Sequence, residues 1–137
     1  MVGVIIMSHG NLASTLVATA ETIIGKIEDI KCIAIRHGDN LEDIRKSTSL
    51  AIRDLDTGMG VLILTDMFGG TPSNIGLSFL EDDRVEVLTG VNLSMLLKLS
   101  SHRQDKNLTQ LAGILKTSGQ NSIVIASEML KGRQGGG

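Results

Sequence analysis

The chain has 137 residues, of which 42% are hydrophobic and 20% charged, and this composition predicts one globular domain rather than a disordered chain. A formal net charge of -2 gives no broad attraction to nucleic acid or to anionic lipid. Trp and Tyr are absent and Phe occurs twice, which excludes the aromatic platforms of proteins that bind single-stranded nucleic acid. The single cysteine, Cys32, excludes an internal disulfide, and its apolar surroundings predict a buried thiol in a reducing cytoplasm.

The sequence also argues against a structural metal site and a membrane segment. One cysteine and three well-separated histidines (His9, His37 and His102) do not supply the ligand cluster of a zinc site. The apolar residues 1–7 lack the basic flank and cleavage site of a signal peptide, so they predict a strand. No stretch approaches the ~20 apolar residues that a membrane-spanning helix needs.

Short apolar runs alternate with segments whose apolar residues recur at a helical spacing. The apolar runs predict strands, and Asn11, Asn40, Thr71 and Asn92 are predicted to cap the helices that follow them. Pro72 fits the first position of its helix. In chain order we expect strands at 2–7, 30–35, 61–65, 85–89 and 122–127, and helices at 12–24, 41–55, 72–80, 93–99 and 108–115.

This alternation predicts an α/β fold, an open three-layer sandwich with a mainly parallel sheet. Right-handed crossovers in so short a chain favour the strand order 2-1-3-4, with the fifth strand at an edge. Residues 1–130 would form the domain, and residues 131–137, which have nothing to bury, a disordered tail. Ligands of such sheets bind at the carboxyl ends of the strands where the winding reverses, which here points to the loops at 8–11 and 66–71.

These two loops combine a histidine with a carboxylate. A carboxylate that accepts a hydrogen bond from one imidazole nitrogen fixes the tautomer and leaves the other nitrogen free to attack. Asp66 is placed to do this for His9, and we predict both as catalytic residues. Considered alone, His9 could be an ordinary polar residue of a loop, and Asp66 an ordinary residue of a turn. The prediction of a catalytic pair therefore depends on the topology that brings the two residues together.

The same loops could hold a phosphoryl group. The helices that follow them offer unpaired N–H groups, the glycines permit close backbone approach, and the hydroxyls add donors. The predicted phosphoryl-binding residues are Gly10, Asn11, Gly69, Gly70, Thr71 and Ser73. Neither loop contains Lys or Arg, so the group would be held transiently, without the cationic clamp of a kinase.

Three blocks of the sequence, at 4–10, 61–74 and 88–96, resemble the mannose-type enzyme IIA family of the bacterial phosphoenolpyruvate-dependent sugar phosphotransferase system. The second block reads Val-Leu-Ile-Leu-Thr-Asp-Met-Phe-Gly-Gly-Thr-Pro-Ser-Asn, and the resemblance extends from Met1 to about Ser127. It implies that His9 carries a phosphoryl group on Nε2, with Asp66 bonded to Nδ1 and Thr71 near the phosphoryl group.

The resemblance also implies partners. Members of the family take phosphate from phosphorylated HPr and pass it to a histidine of a IIB component, and they form homodimers in which the last strand, here Ser122–Ser127, pairs with the partner's sheet. A small donor needs a shallow crevice with an apolar rim, for which Met67, Phe68 and Leu93 are the candidates. We expect no metal and no cofactor, because a phosphohistidine is already an activated donor.

Other functions remain open at this point. Many relatives continue into a IIB domain whereas this sequence ends in a glycine tail, so a stand-alone regulatory phosphohistidine module is one alternative. A phosphoryl-donor subunit of dihydroxyacetone kinase is another. Arg36-His37-Gly38 resembles the motif of histidine phosphatases, in which His37 would be the nucleophile. Of the second histidine and further arginines that this family uses, only His102-Arg103 remains, and the chain is too short for that domain. A response-regulator receiver shares the strand order but needs an acidic pair where Ser8 and His9 stand.

Overall fold

The computed structural model describes residues 1–134, which form a four-stranded parallel sheet with helices on both faces. The strand order is β2-β1-β3-β4, so the predicted α/β class and the order 2-1-3-4 are confirmed. The elements are β1 (Gly3–His9), α1 (Leu12–Ile24), β2 (Ile30–Ile35), α2 (Leu41–Leu55), β3 (Val61–Thr65), α3 (Thr71–Leu77), β4 (Val85–Thr89), α4 (Leu93–His102), α5 (Leu108–Asn121) and α6 (Ala126–Gln134).

The two central strands, β1 and β3, divide the core between the two faces of the sheet. Successive side chains of a strand point to opposite faces, so each strand contributes to both sides. Ile5 and Met7 pack in a cluster with residues of α2 and α3, whereas Val4 and Ile6 pack in a cluster with residues of α1, α4 and α5. This arrangement gives the predicted three layers and leaves the carboxyl ends of β1 and β3 side by side.

The predicted fifth strand does not form within the single chain. The helix α5 continues to Asn121, well beyond the predicted end at 115, and α6 begins at Ala126. The residues between them join no sheet, and their β-branched side chains are exposed, Ile123 by 80%. A run of β-branched residues becomes a strand only where a neighbouring strand edge pairs with it, and here it reaches none. The predicted tail, 131–137, begins inside α6, and residues 135–137 lie outside the described residues.

Two helix starts differ from the prediction, whereas Asn40 and Asn92 cap α2 and α4 as expected. Asn11 makes no capping bond to α1; the hydroxyl of Ser8 accepts from the Ala13 N–H at 2.8 Å instead. The amide oxygen of Asn11 is taken by a different donor, described below. At α3 the capping residue is Gly70. Thr71 is therefore the first helical residue rather than the cap.

The prediction of a buried Cys32 is wrong. The residue lies on β2, the strand at one edge of the sheet, and it is exposed. An apolar run indicates burial only where a strand is covered by other elements on both faces and has a neighbouring strand on each side. An edge strand such as β2 lacks a neighbouring strand on one side.

No helix in the described part of the chain is both long and apolar enough to cross a membrane.

Asp56 closes the turn between α2 and β3. Its Oδ1 accepts from the N–H groups of Gly58 at 2.9 Å and Gly60 at 3.1 Å, and its Oδ2 lies 3.2 Å from Arg84 Nη2. The hydrogen bond from Gly58 lowers the pKa of Asp56; burial opposes this effect, while Gly60 and Arg84 reinforce it. The ionised carboxylate therefore stabilises the folded chain.

We predict that Asp56→Asn lowers the free energy of unfolding by about 1 kcal/mol at neutral pH. The pKa of Asp56 is lower in the folded chain than its value of about 3.9 in an unfolded chain, so the contribution is present above that pH and is lost as the pH falls through the folded pKa. Urea unfolding across pH should show the gap between wild type and variant closing in acid. A gap that is unchanged in acid would contradict this role.

Candidate functional site

His9 and Asp66 meet at the carboxyl edge of the sheet. His9 is the last residue of β1, and Asp66 directly follows β3, the neighbouring parallel strand. Both chain segments leave the sheet at this edge, one toward α1 and the other toward α3, which lie on opposite faces. The structure thus brings the two predicted catalytic residues together at the point where the winding of the sheet reverses.

The carboxylate of Asp66 receives three N–H groups. Its Oδ2 lies 2.8 Å from His9 Nδ1 and 2.9 Å from the backbone nitrogen of the same residue, while its Oδ1 accepts from the Met67 N–H at 3.0 Å. One carboxylate oxygen therefore contacts both the backbone and the ring of His9. This double contact fixes the ring's position relative to the end of β1.

The ionisation state of Asp66 decides which atom donates in its hydrogen bond to the His9 ring. Burial raises the pKa of this carboxyl, but the hydrogen bonds from the backbone and ring of His9, with the charge of the ring, outweigh burial and lower it overall. An ionised carboxylate only accepts hydrogen bonds, so Nδ1 of His9 is the donor. The Nε2 atom of the neutral ring then keeps its lone pair. The His9 side chain is 51% exposed and that of Asp66 10%, so the ring is the accessible partner.

Gly70 lies against the imidazole. A Cβ atom at this position would stand 2.9 Å from His9 Cε1 and 3.4 Å from Nε2, too close to fit without displacing the ring. Gly10 and Gly69 adopt positive φ angles of 55° and 90°, which favour glycine. Thr71, the first residue of α3, is partly buried beside this loop.

Ser73 corrects the predicted set of phosphoryl-binding residues. Its side chain is fully buried, and its Oγ has no hydrogen-bond partner among the described residues. A hydroxyl that is closed off from solvent cannot contact a group carried in by another protein, so we remove Ser73 from the set. The sequence indicates a hydroxyl in the first turn of α3 but not that this hydroxyl is buried.

The predicted rim residues differ in exposure. Met67 and Phe68, in the loop that follows Asp66, are 53% and 72% exposed. Leu93, at the start of α4, is partly buried. Two large apolar side chains therefore stand free in solvent next to the exposed imidazole, an arrangement more typical of a contact surface than of a core.

A cation near the site was missed by the sequence analysis. Arg36 follows β2, and its Nη2 donates to the side-chain oxygen of Asn11. The signal was present in the strand order, because β2 pairs with β1 in a register that sets Ile35 opposite His9. The loops after β1 and β3 contain no Lys or Arg, whereas the loop after β2, which opens at the same edge of the sheet, carries Arg36.

The alternative histidine motif does not assemble into a second site. His37 is exposed in the loop after β2, at the carboxyl edge of the sheet. His102 ends α4, which starts at that edge and runs away from it for ten residues, or about 15 Å. The described residues contain no group of three or more His, Cys, Asp or Glu side chains that could hold a metal ion.

We predict that Asp66→Ala changes the tautomer of His9. In the wild type, the ionised carboxylate holds the proton on Nδ1, and removal of this acceptor should shift the neutral ring toward the Nε2–H form. Nitrogen NMR of the imidazole at alkaline pH distinguishes the two forms. His37, exposed in the same protein, is the internal control and should not change. An unchanged His9 spectrum would show that Asp66 does not set the tautomer.

Comparisons with known proteins identify the family of the chain. Residues 3–115 match the family model EIIA-man, described as the PTS system fructose IIA component. The chain is 33% identical over 132 residues to the PTS system fructose-specific EIIA component of Bacillus subtilis, covering 96% of this chain and 90% of that protein. It is 31% identical to the mannose-specific EIIAB component of Escherichia coli over 124 residues, 89% of this chain but 38% of that longer protein.

Solved structures show the same similarity. The phosphotransferase system component EIIA of Streptococcus agalactiae superposes with a TM-score of 0.84 at 30% identity, covering 93% of this chain and 99% of that one. The PTS IIA protein associated with the fucose utilization operon of Streptococcus pneumoniae gives a TM-score of 0.82 at 32% identity, with 93% and 95% covered. The resemblance seen in the sequence is thus confirmed: the chain belongs to the mannose-type enzyme IIA family, the phosphoryl carriers of the sugar phosphotransferase system.

Proposed function

We propose that the chain accepts a phosphoryl group from phosphorylated HPr on Nε2 of His9 and passes it to a histidine of a IIB component. The observation that carries this proposal is the pairing of an exposed imidazole with a buried, ionised carboxylate at 2.8 Å through Nδ1. This pairing makes Nε2 the free nucleophile of the site. The EIIAB composition of the Escherichia coli relative supports a IIB component as the acceptor.

The proposed step exchanges one nitrogen–phosphorus bond for another. The lone pair of His9 Nε2 attacks the phosphorus, a new N–P bond forms, and the N–P bond of the donor phosphohistidine breaks in line with it. The donor imidazole leaves with the electron pair of the broken bond. No proton has to move, because His9 enters with its proton on Nδ1 and keeps it there. Asp66 stabilises the positive charge that the ring acquires.

The backbone around the ring is suited to the incoming phosphoryl oxygens. The absence of a side chain at Gly70 leaves room beside Nε2, since a Cβ there would lie 3.4 Å from that atom. The first N–H groups of a helix have no partner within the helix, and Gly70 and Thr71 form the start of α3. We propose Gly10, Asn11, Gly69, Gly70 and Thr71 as the residues that surround the group.

The apolar side chains beside the ring form the proposed docking rim. Met67 and Phe68 are exposed by 53% and 72% and would be covered when a donor or acceptor protein docks, with Leu93 completing the rim. Covering apolar surface provides affinity without a fixed geometry, which suits a protein that must bind a donor and an acceptor in turn. The rim therefore supports transfer between proteins rather than a reaction on a small substrate.

We also propose that the chain is a homodimer. Ile123, Val124 and Ile125 are exposed, and so are Met129 and Leu130 of α6. The strand β4 lies at the other edge of the sheet, and beyond Val85, which bridges to Glu81, no strand of the described residues pairs with its outer side. A second copy could pair its residues 122–127 with this edge and cover both sets of apolar side chains, which would give the predicted fifth strand a partner.

Phosphorylation by enzyme I, HPr and labelled phosphoenolpyruvate tests the proposed carrier function. The wild type should be labelled on His9, and His9→Ala should abolish labelling, while the matched control His37→Ala should be labelled normally. Gly70→Ala should fold, because Gly70 has an extended conformation with φ of -89°. Its labelling should nevertheless be slowed roughly 100-fold, since the Cβ displaces the attacking ring.

Two results would contradict the proposal. Labelling of His9→Ala at the wild-type rate, or of Asp66 as an acyl phosphate, would assign the chemistry to another group. A Gly70→Ala variant that is labelled normally would show that the space beside Nε2 is not used. Gly113→Ala is the control for this arm, because a Cβ there meets nothing within 4 Å.

Sedimentation equilibrium tests the proposed dimer. The wild type should sediment with the mass of two chains, and Val124→Asp, which places a charge in the exchanged segment, should shift it to the mass of one. The matched control is Leu50→Asp on α2, a residue that is exposed by 49% on a helix that packs against β1 and β2 rather than at the β4 edge. A wild-type monomer, or a dimer that Val124→Asp leaves intact, would contradict the exchange.

A further inference from the structure

Arg36 brings a positive charge to the carboxyl edge of the sheet, beside the loop that holds His9, and the proposed transfer step does not use this charge. The register of β1 with β2 sets Ile35 opposite His9, and the Gly10 N–H donates to the Ile35 carbonyl at 2.9 Å. Arg36 is the next residue, and its guanidinium donates through Nη2 to the side chain of Asn11. It therefore crosses from the loop after β2 to the start of α1, alongside the loop that holds His9.

Two hydrogen bonds between Arg36 and Asp39 close the turn that carries Arg36. The Arg36 N–H donates to Asp39 Oδ2 at 2.7 Å, and the Asp39 N–H returns a bond to the Arg36 carbonyl at 3.1 Å. Gly38 adopts a φ of 86°, which the turn requires. The carboxylate of Asp39 therefore bonds to the backbone of Arg36 and forms no ion pair with its guanidinium.

The guanidinium has no acidic partner among residues 1–134. No carboxylate in that range lies within 4.0 Å of its nitrogen atoms, although most of the other arginines near the surface do make such a pair, including Arg45 with Glu42 at 3.0 Å and Arg84 with Asp56 at 3.2 Å. Asn11 uses one of the five N–H groups of Arg36, which leaves donors free. A charge that is held in place but unpaired is available to a bound molecule.

An apolar surface and a cationic surface thus lie on the two sides of His9. Met67 and Phe68 form an apolar side next to the start of α3, and Arg36 with Asn11 forms a cationic side next to the start of α1. A phosphoryl group brings a charge of about -1.5 to -2, and the carboxylate of Asp66 is already negative. Without Arg36, the loops that hold His9 and Asp66 would offer no cationic side chain to offset this charge.

We propose that Arg36 is a recognition residue that selects the phosphorylated form of the donor protein, by attracting its phosphoryl group toward His9 during docking. This inference rests on the proposed carrier function. An exposed charge at an interface changes the encounter rate and its salt dependence more than the chemical step. Arg36 is therefore expected to act on kcat/KM and to leave kcat nearly unchanged.

Steady-state transfer from phosphorylated HPr tests this role. Arg36→Gln should lower kcat/KM about 10-fold at low ionic strength, and the loss should shrink as salt is added. Arg36→Lys, which keeps the charge, should recover most of the rate. The matched control is Arg53→Gln: Arg53 is an exposed arginine in the last turn of α2, which begins at the crevice edge of the sheet and runs away from it.

A binding experiment separates recognition of the phosphoryl group from recognition of the donor's own surface. In a His9→Gln background, which cannot accept the group, the chain should bind phosphorylated HPr several-fold more tightly than unphosphorylated HPr. Adding Arg36→Gln should remove this preference. If Arg36→Gln weakens the binding of both forms equally, Arg36 contacts the donor protein rather than its phosphoryl group, and the inference is wrong.

Different results would contradict the proposed carrier function and the proposed role of Arg36. If the wild type accepts no label from phosphorylated HPr, the proposed function is wrong, and this inference falls with it. If the wild type is labelled on His9 but Arg36→Gln and Arg53→Gln have equal rates and equal salt dependence, the proposed function stands and the role of Arg36 is overturned. Equal thermal unfolding midpoints of the two variants would show that folding does not cause any difference in rate.

Discussion

The site depends on one carboxylate oxygen that bonds twice to the same residue. Asp66 Oδ2 accepts from both the backbone and the ring of His9, at 2.9 Å and 2.8 Å, and so joins the end of β1 to the loop after β3. The same contact that orients the ring also lowers the pKa of the carboxyl against the effect of burial. Because the acceptor stays ionised, the proton of the neutral ring stays on Nδ1 and the lone pair stays on Nε2.

The parallel sheet brings the two residues of this contact to the same edge. Neighbouring parallel strands end at the same edge, so two loops far apart in the sequence, at His9 and Asp66, meet there without any long excursion of the chain. A third loop, which carries Arg36, ends at the same edge because β2 lies on the other side of β1. This edge of the sheet therefore combines an exposed imidazole, exposed apolar side chains and a cation, each supplied by the loop after a different strand. None of the three is buried, which is consistent with docking of another protein.

Much of this architecture could be predicted from the sequence, because it depends on local patterns. Apolar runs and helix caps at Asn40 and Asn92 gave the element order, and handedness rules gave the sheet order that pairs His9 with Asp66. The errors arose where a tertiary contact competes with a local preference. Asn11 would cap α1, but Arg36 takes its side-chain oxygen, and Ser8 caps the helix instead. Residues 122–127 have strand composition but no adjacent edge within the chain, and the burial of Ser73 has no local signal.

We propose that Nε2 of His9 receives the phosphoryl group while the proton on Nδ1 stays hydrogen-bonded to Asp66. Phosphorus–nitrogen coupling measured by NMR on the phosphorylated, nitrogen-15-labelled protein identifies the phosphorylated nitrogen. We expect coupling to His9 Nε2, with an Nδ1–H signal that is still hydrogen-bonded. Coupling to Nδ1, or a phosphorus signal typical of an acyl phosphate, would contradict it.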